Sequence, residues 1–173
     1  IKIEEVDGRV GIGITEKPND AFCDPRCKEL GWRQYHFGSV YPSQVTFLDK
    51  EKYDKIRIAN CIPETDIELI KDKTYILEAG FERLSGVSFT KGCYVGQEVT
   101  ARMRHKTELQ KGLVKLRING NINSSTHDIL YEGKYAGIVF TKVEDYAIAY
   151  LRFKYERSAL SLGDADVEIV ERF

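Results

Sequence analysis

The chain has 173 residues, room for one domain or two small ones. Its formal net charge is −1, which gives no electrostatic reason to expect a nucleic-acid partner. Hydrophobic residues make up 42%, with ten Tyr and eight Phe to fill a core, and no apolar run approaches the ~20 residues that cross a bilayer as a helix, so no membrane partner is expected either.

In chain order, 1–14 reads as a hairpin. Ile1 and Ile3 alternate with charged residues, Val10, Ile12 and Ile14 alternate with glycines, and Asp7-Gly8 is a two-residue turn signal between the two runs. A loop with Pro18 leads to Asp24-Pro25-Arg26, where the proline keeps Asp24 extended or turned. Arg26 pairing with a nearby carboxylate in a surface turn and Arg26 meeting a ligand are both open readings. A strand is expected over 31–37, with Trp32 and Arg33 on opposite sides, and a short one over 44–48. Asp49 is an N-cap for a helix over 50–60 with Tyr53, Ile56 and Ala59 on one face, and Pro63 stops it. Single helical turns are expected at 66–71 and 78–84, the second with Phe81 and Leu84 inward, and a brief strand at 87–89.

Beyond Gln110 the pattern changes to alternation. Strands are expected at 112–118, 127–131, 135–140, 147–153 and 166–170, with a turn at Glu132-Gly133 and a bulge or close backbone contact at Gly137. Several short strands at regular spacing point to a small barrel or sandwich. The reading is an α+β domain of sheet and helices over 1–110, followed by a small β-barrel over 111–173.

Chemistry concentrates in one stretch, Lys91-Gly92-Cys93-Tyr94-Val95-Gly96-Gln97-Glu98-Val99-Thr100-Ala101-Arg102. Gly92 and Gly96 permit a sharp turn or close ligand approach, and a helix is expected from near Gln97. Glu98 and Arg102 are spaced to pair along it. Cys93 has two readings: a thiol made reactive by Lys91 and the helix start, or a small buried hydrophobe at a tight turn. Cys23 and Cys27 form a C-x3-C pair with no second close pair, and the fourth cysteine is Cys61, so neither structural zinc nor a disulfide framework is expected. No phosphate-binding G-x-x-x-x-G-K-[ST] loop is present, and nothing in sequence orients His105 toward Cys93 as a hydrolase base.

The run KGCYVGQEVTAR, with Met103 to Lys106 after it, resembles the signature of the folate-binding YgfZ-type family. These proteins are relatives of the glycine-cleavage T-protein, an aminomethyltransferase, and act in iron–sulfur cluster assembly and repair. Asp24-Pro25-Arg26, Leu30 to Arg33, Arg57-Ile58-Ala59 and Ile62-Pro63-Glu64 resemble further family segments, while Asn60-Cys61 and Ala79-Gly80-Phe81 depart from them. The resemblance covers the chain from Asp24 onward and implies a T-protein-like α+β domain, a C-terminal β-barrel and a further N-terminal region. The chain starts at Ile1 without an initiator Met and is therefore expected to be a piece of a longer protein.

The resemblance also implies a function: an accessory protein that binds tetrahydrofolate, with iron–sulfur proteins or their assembly machinery as partners. Its setting would be the bacterial cytoplasm or the mitochondrial matrix. Cys93 would be the key thiol. Lys91, Gly92, Tyr94, Gly96, Gln97, Glu98, Arg102, Asp24 and Arg26 would bind the ligand or shape the site. Whether a reaction is catalysed stays open. The alternatives are an aminomethyltransferase that passes a one-carbon unit to tetrahydrofolate, and a non-catalytic folate-sensing or client-docking module.

Overall fold

The computed structural model describes residues 8–14, 16–37, 49–92, 97–106, 108–123 and 125–172. The first layer is a three-stranded antiparallel sheet of β1 (Gly8–Gly13), β2 (Phe22–Cys23) and β3 (Trp32–Phe37), in the order β1-β3-β2. The second run of the expected hairpin is strand β1, which begins at Gly8 and pairs with β3, from Gly8 opposite Phe37 to Gly13 opposite Trp32; Asp7 lies outside the described residues. Residues 1–5 and the expected strand at 44–48 lie outside the described residues.

Helix α1 (Lys50–Ala59) starts as its sequence requires. Asp49 Oδ1 accepts from the Glu51 amide at 3.2 Å, which satisfies one of the free amides of the first turn. It ends at Ala59, four residues before Pro63: Cys61 has a φ of 47°, and the Ile62 amide folds back onto the Arg57 carbonyl at 2.9 Å. The expected inward face is also corrected. Asp54, Arg57 and Ile58 are buried, Tyr53 and Ile56 are half-buried, and Ala59 is exposed.

Residues 62–92 form no helix or strand. The turns expected at 66–71 and 78–84 occur as hydrogen-bonded turns, such as Leu84 N–H to Gly80 O at 3.1 Å, and 87–89 is irregular instead of a strand. Positive φ values at Asp66, Asp72 and Ser85 interrupt any regular run, and Leu84 is buried with Leu30 and Ile62. Helix α2 (Glu98–Lys106) follows, with the Ala101 amide bonded to the Gln97 carbonyl at 3.0 Å. Arg104 fastens it to the preceding turns by an ion pair with Glu82 at 3.0 Å.

The remaining strands are β4 (Lys111–Asn119), β5 (Asp128–Tyr131), β6 (Lys134–Val143), β7 (Tyr146–Arg152), β8 (Leu160–Leu162) and β9 (Ala165–Arg172). They close into a barrel in the order β4-β7-β6-β5-β8-β9, sealed by β4 against β9. Closure leaves no unpaired edge in this sheet. Glu132 and Gly133, both with positive φ, form the two-residue turn between β5 and β6, and a left-handed backbone is what such a turn demands. Strand β8 was not anticipated from sequence; three residues are too few to show a period.

Alternation fills the barrel. Val114, Leu116 and Ile118 of β4 face Ala149, Ala147 and other buried residues inside, with small side chains opposite large ones. The outer faces of β4 and β7 are also covered. Leu113 and Ile148 form a buried cluster with Ile58, Cys61 and Ala79, so α1 and the turns after it sit on the barrel wall. The Leu113 amide bonds the Glu78 carbonyl at 2.9 Å across this seam.

At its centre is Arg57, whose side chain has no solvent exposure. Its guanidinium reaches Asp54 (3.0 Å), Glu64 (3.1 Å), Glu68 (3.1 Å), the Ile62 carbonyl (2.9 Å) and Thr141 Oγ1 of β6 (3.1 Å). Thr141 in turn donates to Glu68. Burial alone would lower the Arg57 pKa, but Glu68, Asp54 and Glu64 hold it above its ordinary value. Replacing one member of such a cluster strands the others in a dry site. Arg57→Met is therefore expected to cost about 3–5 kcal/mol of stability, read by urea unfolding; a loss under about 1 kcal/mol would show the cluster to be replaceable.

Candidate functional site

Asp24 organises one wall of the site. Its carboxylate is enclosed, with no side-chain exposure, and it is saturated. Oδ1 accepts from the Arg26 amide and Nε, each at 3.0 Å, and Oδ2 accepts from Arg26 Nη2 at 2.8 Å and Arg33 Nε at 2.7 Å. The local reason lies in the sequence: Pro25 turns the chain, and the Asp24 amide closes on the Gly31 carbonyl at 2.8 Å, which returns the chain beside β3. Burial opposes the charge, yet the two arginines win and bring the Asp24 pKa down from 3.8 to about 2. Arg26 is held above its ordinary value, chiefly by its hydrogen bonds to Asp24. One carboxylate thus fixes two guanidinium groups, and the trio keeps one net positive charge.

Both arginines face a cleft of about 310 Å³. Pro63, Leu69, Phe81 and Leu84 give it an apolar side, and Glu64, paired with Arg57, stands at its border. A cleft of this size with two oriented guanidinium groups and an apolar wall suits a small molecule with an anionic end and a flat or apolar body. Arg33 was not singled out as a site residue from sequence. The only signal was its place in the Leu30-Gly31-Trp32-Arg33 segment, and its tie to Asp24 spans nine residues.

Phe81, Leu84 and Gly86 of the cleft belong to the segment that runs into the cysteine motif. Of that motif, Cys93, Tyr94 and Gly96 lie outside the described residues. Its flanks divide. Lys91, Gly92, Glu98 and Arg102 are exposed, whereas Gln97 is only 4% exposed and sits at the start of α2. Gly92 does not adopt a positive φ, and among the described residues nothing lies within 4 Å of where a Cβ would stand. The special backbone angle is therefore not adopted at Gly92, and Gly96 lies outside the described residues.

Two of the three described thiols contrast with what a nucleophile needs. Cys61 is sealed in the seam between α1 and the barrel, and burial pushes its pKa up to about 12. Cys27 is raised by burial and by its contact with Glu29, Sγ to Oε2 2.6 Å. Cys23 is exposed. Among the described residues no group of three or more His, Cys, Asp or Glu side chains could hold a metal ion, and no helix is long and apolar enough to cross a membrane.

Residues 110–171 match the CAF17, C-terminal beta-barrel domain. The chain is also similar to proteins named iron-sulfur cluster assembly factor IBA57, mitochondrial. It is 36% identical to the one from Mus musculus over 104 residues, 59% of this chain and 29% of that protein. It is 36% identical to the one from Homo sapiens over 97 residues, 54% of this chain and 27% of that protein. The homolog of Yarrowia lipolytica is 29% identical over 117 residues, 66% of this chain and 24% of that protein. The matched part of the chain spans less than a third of these relatives' own length.

Asp24 gives a pH-dependent prediction. A carboxylate whose pKa falls on folding stabilises the fold fully above its unfolded pKa and loses that contribution as pH falls through the folded value. The shift from 3.8 to about 2 corresponds to about 2 kcal/mol. Asp24→Asn is expected to lose that amount at neutral pH, with the gap to the unaltered chain closing between about pH 4 and pH 2. A gap that does not change with pH, measured by urea unfolding across this range, would contradict the assignment.

Proposed function

We propose that this chain is the C-terminal part of an iron–sulfur cluster assembly factor of the IBA57 kind, acting through the thiol of Cys93. The observation that carries the reading is the 36% identity to IBA57 over 104 residues, taken with the Lys91 to Arg102 motif. Its partners are iron–sulfur proteins or their assembly machinery, with the cluster as cargo, and its setting is the mitochondrion, where the names of the relatives place them.

Several features of the chain support the role given to Cys93. Cys61 and Cys27 are held in their protonated form by burial, so neither is suited to soft-metal or sulfur chemistry. The motif's described flanks are solvent-facing at Lys91, Gly92, Glu98 and Arg102. Buried Gln97 and the ion pair of Arg104 with Glu82 anchor α2 behind it.

Tetrahydrofolate is the ligand we assign to the arginine cleft. Arg26 and Arg33 would hold a carboxylate of its glutamate tail, and Phe81 and Leu84 would line the flat part. When bound, folate supplies a carrier for one-carbon groups. The chain's own residues orient it: Asp24 fixes both guanidinium groups so that little side-chain freedom is lost on binding.

Two measurements follow. In cells depleted of the endogenous factor, the full-length protein is expected to restore iron–sulfur enzyme activities and its Cys93→Ala variant is not; full restoration by the variant would remove the thiol from the mechanism. Separately, Arg33→Gln in the full-length protein is expected to weaken tetrahydrofolate binding by about tenfold or more, the worth of one charge-assisted hydrogen bond. Unchanged binding by calorimetry would place folate elsewhere.

A further inference from the structure

A second concavity lies on the barrel and shares no lining residue with the arginine cleft. It has a volume of about 500 Å³. Its floor is made by Ala136 and Gly137 of β6, where the register with β5 slips by one residue between Ile129 and Leu130. Gly137 is needed there: a Cβ would stand 2.3 Å from the Tyr150 carbonyl oxygen. Two adjacent small residues between tyrosine walls give a depression in what would otherwise be a smooth strand pair. The walls are Tyr135 and Tyr150.

Three cations surround this depression, Lys111, Arg152 and Lys154, on a chain whose net charge is −1. Each is placed by an aromatic ring. Lys111 Nζ is 5.4 Å from the centre of Tyr150, the Arg152 guanidinium 5.4 Å from Tyr135, and Lys154 Nζ 4.7 Å from Tyr155. The carboxylate that approaches from below is already committed. Glu78 is buried, accepts from the Tyr150 hydroxyl, and stands 4.0 Å from Lys111. Asp128 acts on Tyr135 at longer range. Among the described residues neither Arg152 nor Lys154 has a carboxylate within 4.0 Å.

A concave site with unmatched cations on low-polarity walls focuses positive potential inward. Arg152 lies over a ring, which leaves its N–H edge for planar oxyanion recognition. We propose that this barrel depression is a binding site for a small, multiply charged oxyanion, a phosphate ester or a polycarboxylate. Arg152 and Lys154 supply the charge, and Tyr135 and Tyr150 pack against the ligand's body. The site does not depend on the reading of Cys93 or on folate.

The test is a titration of the full chain with pyrophosphate and, separately, with citrate, each against chloride at matched ionic strength. Backbone amide shifts of residues 135–137 and 150–154 are the readout. The proposal expects saturable shifts at these amides with at least one of the two anions, weakened by added salt. Tighter binding of pyrophosphate assigns the site to phosphate-bearing ligands, and tighter binding of citrate to polycarboxylates. The exposed pair Arg152→Gln/Lys154→Gln is expected to keep the unfolding midpoint and to bind about tenfold or more weakly. Absence of saturable shifts with both anions, or equal binding by the double variant, would overturn it.

Discussion

Everything else in this fold is arranged around a single enclosed guanidinium group. Arg57 leaves water entirely and must find partners for its charge and its five N–H groups in the interior. Those partners come from three places: its own helix at Asp54, the turn at Ile62 to Glu68, and barrel strand β6 at Thr141. A polar cluster of this kind tolerates little displacement, because moving any one piece leaves a charge unpaired at a cost of several kcal/mol. The barrel and the layer before it are thereby held in one relative position, and the apolar seam of Ile58, Cys61, Leu113 and Ile148 closes around it.

That fixed position has consequences for the site. Glu64 borders the arginine cleft and also pairs with Arg57, so the cleft inherits its shape from the buried cluster. Asp24 repeats the same device on a smaller scale, with one enclosed carboxylate orienting Arg26 and Arg33. Tyr53 stands by both clusters: its ring centre lies 6.0 Å from the Arg57 guanidinium, and it acts electrostatically on Arg26. Guanidinium groups fixed in this way lose little side-chain freedom when they meet an anion.

Much of the barrel was legible in sequence because its signal is local. Val114, Leu116 and Ile118 alternate with polar residues, and Glu132-Gly133 can only be a tight turn. Asp49 announced the start of α1 for the same reason, since an N-cap acts within its own turn. The inward face of α1 was misjudged because apolar spacing favours Tyr53, Ile56 and Ala59, while the burial of Arg57 depends on Glu68 and Thr141, 11 and 84 residues away. No periodicity carries that information. Residues 62–92 carry apolar side chains throughout yet form no helix or strand, and left-handed backbone at Asp66, Asp72 and Ser85 breaks each run. In the candidate site, Asp24 and Arg26 could be named from their motif, but the pairing of Asp24 with Arg33 appears only when the chain returns along β3.

The coupling of the two layers through Arg57 is tested most directly by native-state hydrogen exchange of the full chain. The Ile62 amide, bonded to the Arg57 carbonyl, reports on the cluster, and the Leu113 amide, bonded to the Glu78 carbonyl, reports on the seam with the barrel. If the buried cluster joins the layers, both amides exchange through one shared opening, with the same free energy and the same response to denaturant as the barrel strands. Exchange of Ile62 through a separate, easier opening, while Leu113 and the barrel stay protected, would contradict the account.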